Sequence, residues 1–417
     1  VSLRAHRPRR LWILGLVSLF NDMASEMLYP VLPIFITQVL GAPVAVLGLI
    51  DGVAEGSSAV FKTLFGRWSD RLGRRQPFVF FGYLTSTFSK LVIALSTAWG
   101  FVFLARVLDR FGKGVRTGAR DAMLLDLSDG SDRGSVFGFQ QSLDSAGAVV
   151  GPLIALVLLH AFGGDIRTVL YVAIIPSLIG VVLVTRIRDQ PGTVKAAAAV
   201  ARPVDVDAST GGPGVRVPLG VTLRGLPREL KVFLVASGLF ALGNSSDSFL
   251  ILRSKGVGLN LSLVILAYVA YNLVYSLGSI PAGRLADRFG ARRVYLTGVA
   301  VYVAVYVGFS VNRSVAGVWI LFSVYGVYIA MTDSVSRALV GGFIEDDHTA
   351  ATVYGLLQSI VSVGLVAASV IGGVLWTVIG SWATFAFAAA FATLALVVFV
   401  AAGPRRAVTA STGPASP

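Results

Sequence analysis

Residues 66–75 read GRWSDRLGRR, from Gly66 to Arg75, and residues 283–293 read GRLADRFGARR, from Gly283 to Arg293. At an offset of 217, Gly66 falls on Gly283, Asp70 on Asp287, Arg71 on Arg288, Gly73 on Gly290 and Arg75 on Arg292. Each polar block stands between two long apolar runs. One copy would be a weak signal. Two copies in register, half a chain apart, mark an internal repeat. The residues predict a tight turn at a membrane surface. Glycine permits close packing and positive φ, aspartate accepts hydrogen bonds from helix N-terminal amides, and arginines sit among head groups.

Composition fixes the solvent. Of 417 residues, 55% are hydrophobic and 14% charged, where a soluble domain carries roughly 25% charged residues. Apolar runs of about 20 residues recur, each enough for a hydrocarbon core of roughly 30 Å. Without water to satisfy the backbone they must be helices, and barrel-type alternation is absent. The net charge of +13 is high enough to suggest nucleic acid as a partner, but its placement argues against that. Of the 35 Lys and Arg, 23 lie in the two tails and alternate loops, while only Arg167, Arg253, Lys255 and Arg313 lie in or beside the opposite loops. That asymmetry puts both termini in the cytoplasm and the chain in a plasma membrane, of bacterial inner-membrane type. No cysteine is present, which removes disulfides and thiolate metal sites, and no metal site is expected. The first apolar run is too long for a cleaved signal peptide and lacks a cleavage site.

Taken in order, the chain predicts an N-terminal tail (1–10) and helices over 11–40, 44–67, 76–97, 99–127, 133–162 and 166–186, a bundle spanning 11–186. A Pro/Gly/Ala-rich linker follows at 187–228. A second bundle at 229–402 has helices over 229–254, 259–284, 292–311, 314–344, 348–379 and 381–402, before a tail at 403–417. The offset of 217 extends beyond the polar blocks: VFGFQQS at 136–142 falls on VYGLLQS at 353–359, Arg120 on Arg337, Gly147 on Gly364 and Glu55 on Asn272. The fold class is an all-α membrane protein, twelve transmembrane helices in two pseudo-symmetric six-helix bundles, with a ligand site expected between the repeats.

Ionisable residues at membrane depth are costly and mark substrate or proton pathways. Asp22 and Glu26 lie one turn apart on the first segment, before Tyr29-Pro30 and Pro33, which should kink or end its outer part. Asp51, Glu55 and Lys62 share a face of the second. The fourth carries Arg106, Asp109, Arg110, Lys113, Arg116 and Arg120, of which all but Arg116 fall within roughly 60° of one direction. Static charge balance inside the first bundle competes with a hydrated, working cavity as the reason for this stripe. In the second bundle Asn244, Asp247, Tyr268, Asn272 and Tyr275 offer hydrogen bonds, and Asp333 and Arg337 stand at pairing distance along one helix.

These motifs resemble the major facilitator superfamily over about residues 11–402. The Gly66 and Gly283 blocks resemble its signature between helices 2 and 3 and the echo between helices 8 and 9. YPVLP resembles its helix-1 P-x-x-P pattern. Arg106 stands where its helix-4 arginine is expected, although Asp109 and Arg110 replace the usual Gln-Gly. Gly138, Gly147, Gly151 and Pro152, followed by Ala155 in place of a glycine, resemble the helix-5 pattern of proton-coupled drug and small-molecule antiporters. The resemblance implies a secondary transporter that alternates access by rocking its halves, with no cofactor and H+ as coupling ion. Asp22 or Glu26 would carry the proton, with Asp51 and Glu55 next, and Arg106, Asp109, Arg110, Lys113, Asn244, Asp247, Tyr268 and Asn272 would line the cavity. It implies efflux of an amphiphilic compound, with uptake or exchange of an anionic solute as the alternative. A non-transporting receptor or a lipid scramblase on the same fold ranks lower. The partners implied are membrane lipid and a small-molecule substrate, with the chain working as a monomer. No His-rich cluster, G-x-S-x-G, credible triad or phosphate-binding loop points to an enzyme.

Overall fold

In the computed structural model of the protein, the described residues are 9–72, 75–127, 133–187, 228–341 and 347–402. They form twelve long helical runs. The first half holds α1 (Arg9–Leu28, resumed by Leu32–Ile34 and a π-turn at Phe35–Val39), α2 (Val44–Leu72), α3 (Gln76–Leu95), α4 (Trp99–Asp126), α5 (Arg133–Ala161) and α6 (Ile166–Val172 with Ile174–Val184). The second holds α7 (Arg228–Gly243 with Ser248–Gly256), α8 (Leu261–Phe289), α9 (Ala291–Val311), α10 (Val315–Gly341), α11 (Asp347–Val378) and α12 (Ser381–Ala402). Most of the linker and both tails lie outside the described residues.

Among the described residues, ten of these runs are long and apolar enough to cross a membrane. α4, which is described throughout and carries the charge stripe singled out above, is not among them. Helix packing repeats in the two halves. Within the first, α1 packs on α5 and α6, α4 on α2 and α3, and α3 on α6; adding six to every number gives the packing of the second. Between halves, α2 lies along α11 and α5 along α8, a pair that the same operation exchanges. The repeat seen in sequence is therefore a repeat in space.

The buried cores show which end of the molecule is closed. One continuous core joins Val31 and Phe35 of α1 and Leu47 of α2 to Phe249 of α7, Tyr268 of α8 and Phe309 of α9. At the end carrying the termini there are instead two cores, one around Leu14, Tyr83 and Leu124, the other around Phe233, Leu339 and Phe399. Burial in shared apolar contact thus seals the face away from the termini, and the halves part on the termini face.

Small residues make the seal tight. A Cβ at Gly48 would collide with the Ser369 carbonyl, one at Gly52 would lie 3.0 Å from the Val366 carbonyl, and one at Gly373 2.9 Å from that of Val44. Gly48, Gly52 and Gly56 recur every fourth residue and so face α11 together. Within the first half, a Cβ at Gly147 would lie 2.6 Å from the Leu19 carbonyl and one at Gly151 would collide with that of Met23, so α5 lies against the backbone of α1. Gly138, in the same motif, has open space at that position, and Pro152 is accommodated inside α5.

Three expectations need correction. The signature blocks are mainly helix: α2 continues to Leu72 and α8 to Phe289. In the second block the turn is confined to the glycine that follows, where Gly290 takes φ 91° as the C-terminal cap of α8. The aspartates therefore stand on last helical turns, not at helix N-termini. Asp287 is exposed and makes no hydrogen bond among the described residues. The side chains of Lys62, Gly66, Asp70, Arg71 and Arg337, and residue Gly73, lie outside the described residues. Arg75 pairs with Asp126 and donates to the Ala122 carbonyl at 2.9 Å, tying the start of α3 to the end of α4. Its repeat partner Arg292 donates to the Phe399 carbonyl at 3.0 Å.

The seventh segment is not continuous; it breaks at 244–247. Asn-Ser-Ser-Asp is turn chemistry, since these side chains compete for backbone groups. The Tyr302 hydroxyl donates at 2.8 Å to the Gly243 carbonyl left over at the break. The break in α1 falls between Leu28 and Leu32, around Tyr29-Pro30 as expected. On the closed face Asp165 caps α6, accepting from the amides of Arg167 at 3.0 Å and Thr168 at 3.2 Å. The Thr168 hydroxyl bond, followed by those amides, holds its carboxyl below the ordinary aspartate value.

Candidate functional site

Two adjoining cavities lie at membrane depth, sharing Tyr29 and Glu55 in their walls. The smaller, about 250 Å³, sits inside the first half among α1, α3 and α4. The larger, about 760 Å³, lies against the second half, between α7, α10 and α11, and is open.

The smaller cavity is lined by Asp22, Glu26, Glu55 and Asp109 together with Lys90, Arg106, Arg110, Lys113 and Arg116. Helical period explains the set: spacings of three and four on α4 turn Arg106, Asp109, Arg110 and Lys113 to one side. Arg110 pairs with Glu55 of α2 and, at 3.3 Å, with Asp109 beside it. Asp109 also faces Lys90 Nζ at 3.7 Å. Arg116 donates to Ser86 Oγ at 2.5 Å and lies over the Tyr83 ring at 4.5 Å. Lys113 is exposed in the cavity, with no carboxylate within 4.0 Å among the described residues. Arg120 lies further along, donating to Asp121 at 3.0 Å and Ser18 at 3.2 Å.

Two acids reach across to the second half. Asp51, 4% exposed, accepts from Arg106 at 3.3 Å, Ser246 Oγ at 2.7 Å and Ser248 Oγ at 2.5 Å. Glu26 accepts from the Tyr268 hydroxyl at 2.7 Å. Asp51 lines neither cavity; it is a tie between α2, α4 and the far side of the α7 break. Tyr268 is likewise committed to a tie, and Asn272 donates to the Tyr268 carbonyl of its own helix at 3.0 Å. None of these three lines either cavity, whereas the sequence expectation put Tyr268 and Asn272 in a cavity wall.

Asn244 and Asp247 do line the larger cavity, brought there by the α7 break. Asp247 accepts from Tyr325 at 2.5 Å and Tyr271 at 3.4 Å. Behind it Tyr302 stacks on Tyr306 at 4.0 Å, and Tyr328 meets Tyr302 edge-on at 4.8 Å. Asp333 accepts from Tyr275 at 3.0 Å. Where the first half concentrates ions, the second concentrates phenols.

The sequence profile of the Major Facilitator Superfamily matches residues 14–252 and 232–416, which together span both halves. The chain belongs to the major facilitator superfamily. It is 31% identical over 376 residues, 89% of each chain, to an uncharacterized MFS-type transporter of Methanocaldococcus jannaschii. It is 31% identical over 141 residues, 33% of this chain and 35% of the other, to the class D tetracycline resistance protein of Salmonella ordonez. The crystal structure of the nucleoside transporter NupG superposes with a TM-score of 0.73 at 13% identity, covering 94% of this chain and 98% of that one. At that identity the likeness is one of fold. This superfamily member is an integral membrane transporter and not an enzyme.

Several working residues escaped the sequence reading. Lys90, 2% exposed, stands in an otherwise apolar segment, where any ionisable residue is a signal. Arg116 falls off the stripe by angle, yet its length carries it into the cavity wall. The glycines at 48, 52 and 56 were legible as a small-residue repeat. Ser246 and Ser248 carried no signal, because a serine shows its partner only once the halves are packed.

Proposed function

We propose that this transporter exports a small amphiphilic compound by alternating access, driven by proton entry. The observation that carries the reading is Glu26. It lies in the cavity wall beside the α4 cations and at the same time accepts a hydrogen bond that joins the halves. A group with both contacts links protonation to the opening of the sealed face: a neutral carboxyl loses the charge-assisted part of that bond. Asp22 lines the same wall and shares the role, while Glu55 and Asp51 hold Arg110 and Arg106. Arginine crowding on the termini face makes that face cytoplasmic, so the sealed side is the outer one and the structure is inward-open. The tetracycline resistance relative favours efflux.

The test is flux in proteoliposomes of the purified chain. Export should accelerate with an inward proton gradient and slow when that gradient is reversed. Flux that ignores the gradient in both directions would refute proton coupling.

Uptake or exchange of an anionic solute is the second reading, favoured by Lys113, a cavity cation with no carboxylate within 4.0 Å among the described residues. Under it, Lys113→Gln weakens substrate binding with normal expression. Under the first reading the same change leaves binding intact.

A further inference from the structure

Resting on the reading of this chain as an exporter of a small amphiphilic compound, we infer that the second-half wall of the larger cavity is a binding site for a lipophilic organic cation, held by Asp247 among tyrosine rings. Charge is the first argument. The described lining residues include the acids Glu55, Asp247 and Asp333 and no Lys, Arg or His. Glu55 already has Arg110. Asp247 has none: among the described residues no Lys or Arg nitrogen comes within 4.0 Å of its carboxylate. Its two phenol donors orient it and bring no charge. Each carboxylate oxygen keeps a free lone pair, and an isolated charge at this depth is costly until a cation arrives.

A second argument, independent of charge, is the character of the wall. Tyr325 and Tyr328 lie with ring centroids 5.3 Å apart, and Phe240 lies 6.1 Å from Tyr328. Aromatic faces attract a cation, and more strongly once it is desolvated. Leu357, Val361 and Leu365 complete the lining, so the cation must carry apolar substituents. A volume of about 760 Å³ falls within the usual range of roughly 300–1,000 Å³ for such ligands.

The experiment is equilibrium dialysis of radiolabelled tetraphenylphosphonium against the purified full chain in lipid nanodiscs, without any gradient. Saturable binding is expected, and the isosteric anion tetraphenylborate should not compete. Asp247→Asn should weaken binding at least tenfold at unchanged melting temperature, and Asp247→Glu should keep part of it. No saturable binding by the wild type, equal competition by tetraphenylborate, or full affinity in Asp247→Asn would each overturn the site. Should Asp247→Asn not fold, the cation and anion measured on the wild type still decide. Binding is read without proton movement, so its failure is separable from failure of coupling. Tetraphenylphosphonium bound but not driven by pH keeps the site and removes the coupling. Proton-driven flux of another compound with no phosphonium binding does the opposite.

Discussion

The Tyr268 hydroxyl donates to Glu26 Oε2 at 2.7 Å, so one hydrogen bond joins α8 of the second half to α1 of the first. The lock and the proton site are then separable by mutation. Glu26→Gln and Asp22→Asn should each flatten the pH dependence of flux while folded protein remains in the membrane. Tyr268→Phe keeps both acids and loses only the tie, so it should retain pH dependence and raise ungated leak. Unchanged pH-dependent flux in both acid variants would move the proton elsewhere.

Asp51 and the serines beyond the α7 break form the other tie. Hydrogen bonds to a charged group contribute about 1.5–3 kcal/mol each, and about 1.4 kcal/mol is tenfold in a population. Ser248→Ala should therefore shift the protein at least tenfold towards opening of the sealed face. The chain has no cysteine, so spin labels at Gln38→Cys and Gly256→Cys report this without background. The added long-distance component should appear in Ser248→Ala. An identical distance distribution would mean the tie is ornamental.

The glycine contact makes a sharper steric claim. Gly48→Val puts a branched side chain against the Ser369 carbonyl, and overpacking costs roughly 1–3 kcal/mol. The same label pair should separate and transport should fall. Gly283→Ala meets nothing within 4 Å and lies inside α8, where alanine outranks glycine by about 1 kcal/mol. It should fold at least as well as the wild type. Equal loss of thermal stability in both variants would contradict the packing described.

The Lys90–Asp109 pair tests how much of the α4 stripe is static. Asp109→Leu strands Lys90 without a counter-ion, a loss of about 3–5 kcal/mol. Lys90→Met leaves Asp109 with Arg110 at 3.3 Å and should cost less. The double variant should melt above Asp109→Leu alone, since exchanging a buried pair for apolar residues is often neutral. Strictly additive melting shifts would show that the two residues do not interact.

Much of the fold was legible because the bilayer forbids alternatives. Length and hydropathy give the spans, and the offset of 217 gives the two halves. The charges of α4 were legible for the same reason, since nothing apolar explains Arg110 or Lys113. What stayed hidden depended on contact between halves. Asp51 reads as one more membrane acid until Ser246 and Ser248 arrive from almost 200 residues away. The α7 break was written in Asn244–Asp247, but a run of apolar residues on both sides outweighed it. The signature blocks misled in the other direction: their polarity suggests a turn, while their backbone is still helix, which in the second block ends at Gly290.

The order of α1, α2 and α4 along the chain has a consequence for biosynthesis. α4 is not apolar enough to enter a membrane alone, and each bare cation at the bilayer centre costs about 2.5–3.5 kcal/mol on insertion scales. Asp22, Glu26, Asp51 and Glu55 all leave the ribosome before Arg106 does. At roughly 5–20 residues per second, the counter-charges precede the cations by seconds, time enough for α1 and α2 to be in the bilayer. α4 therefore enters against partners already in place. A circular permutant that translates α4 before α1 and α2 would have to insert its arginines with nothing to receive them.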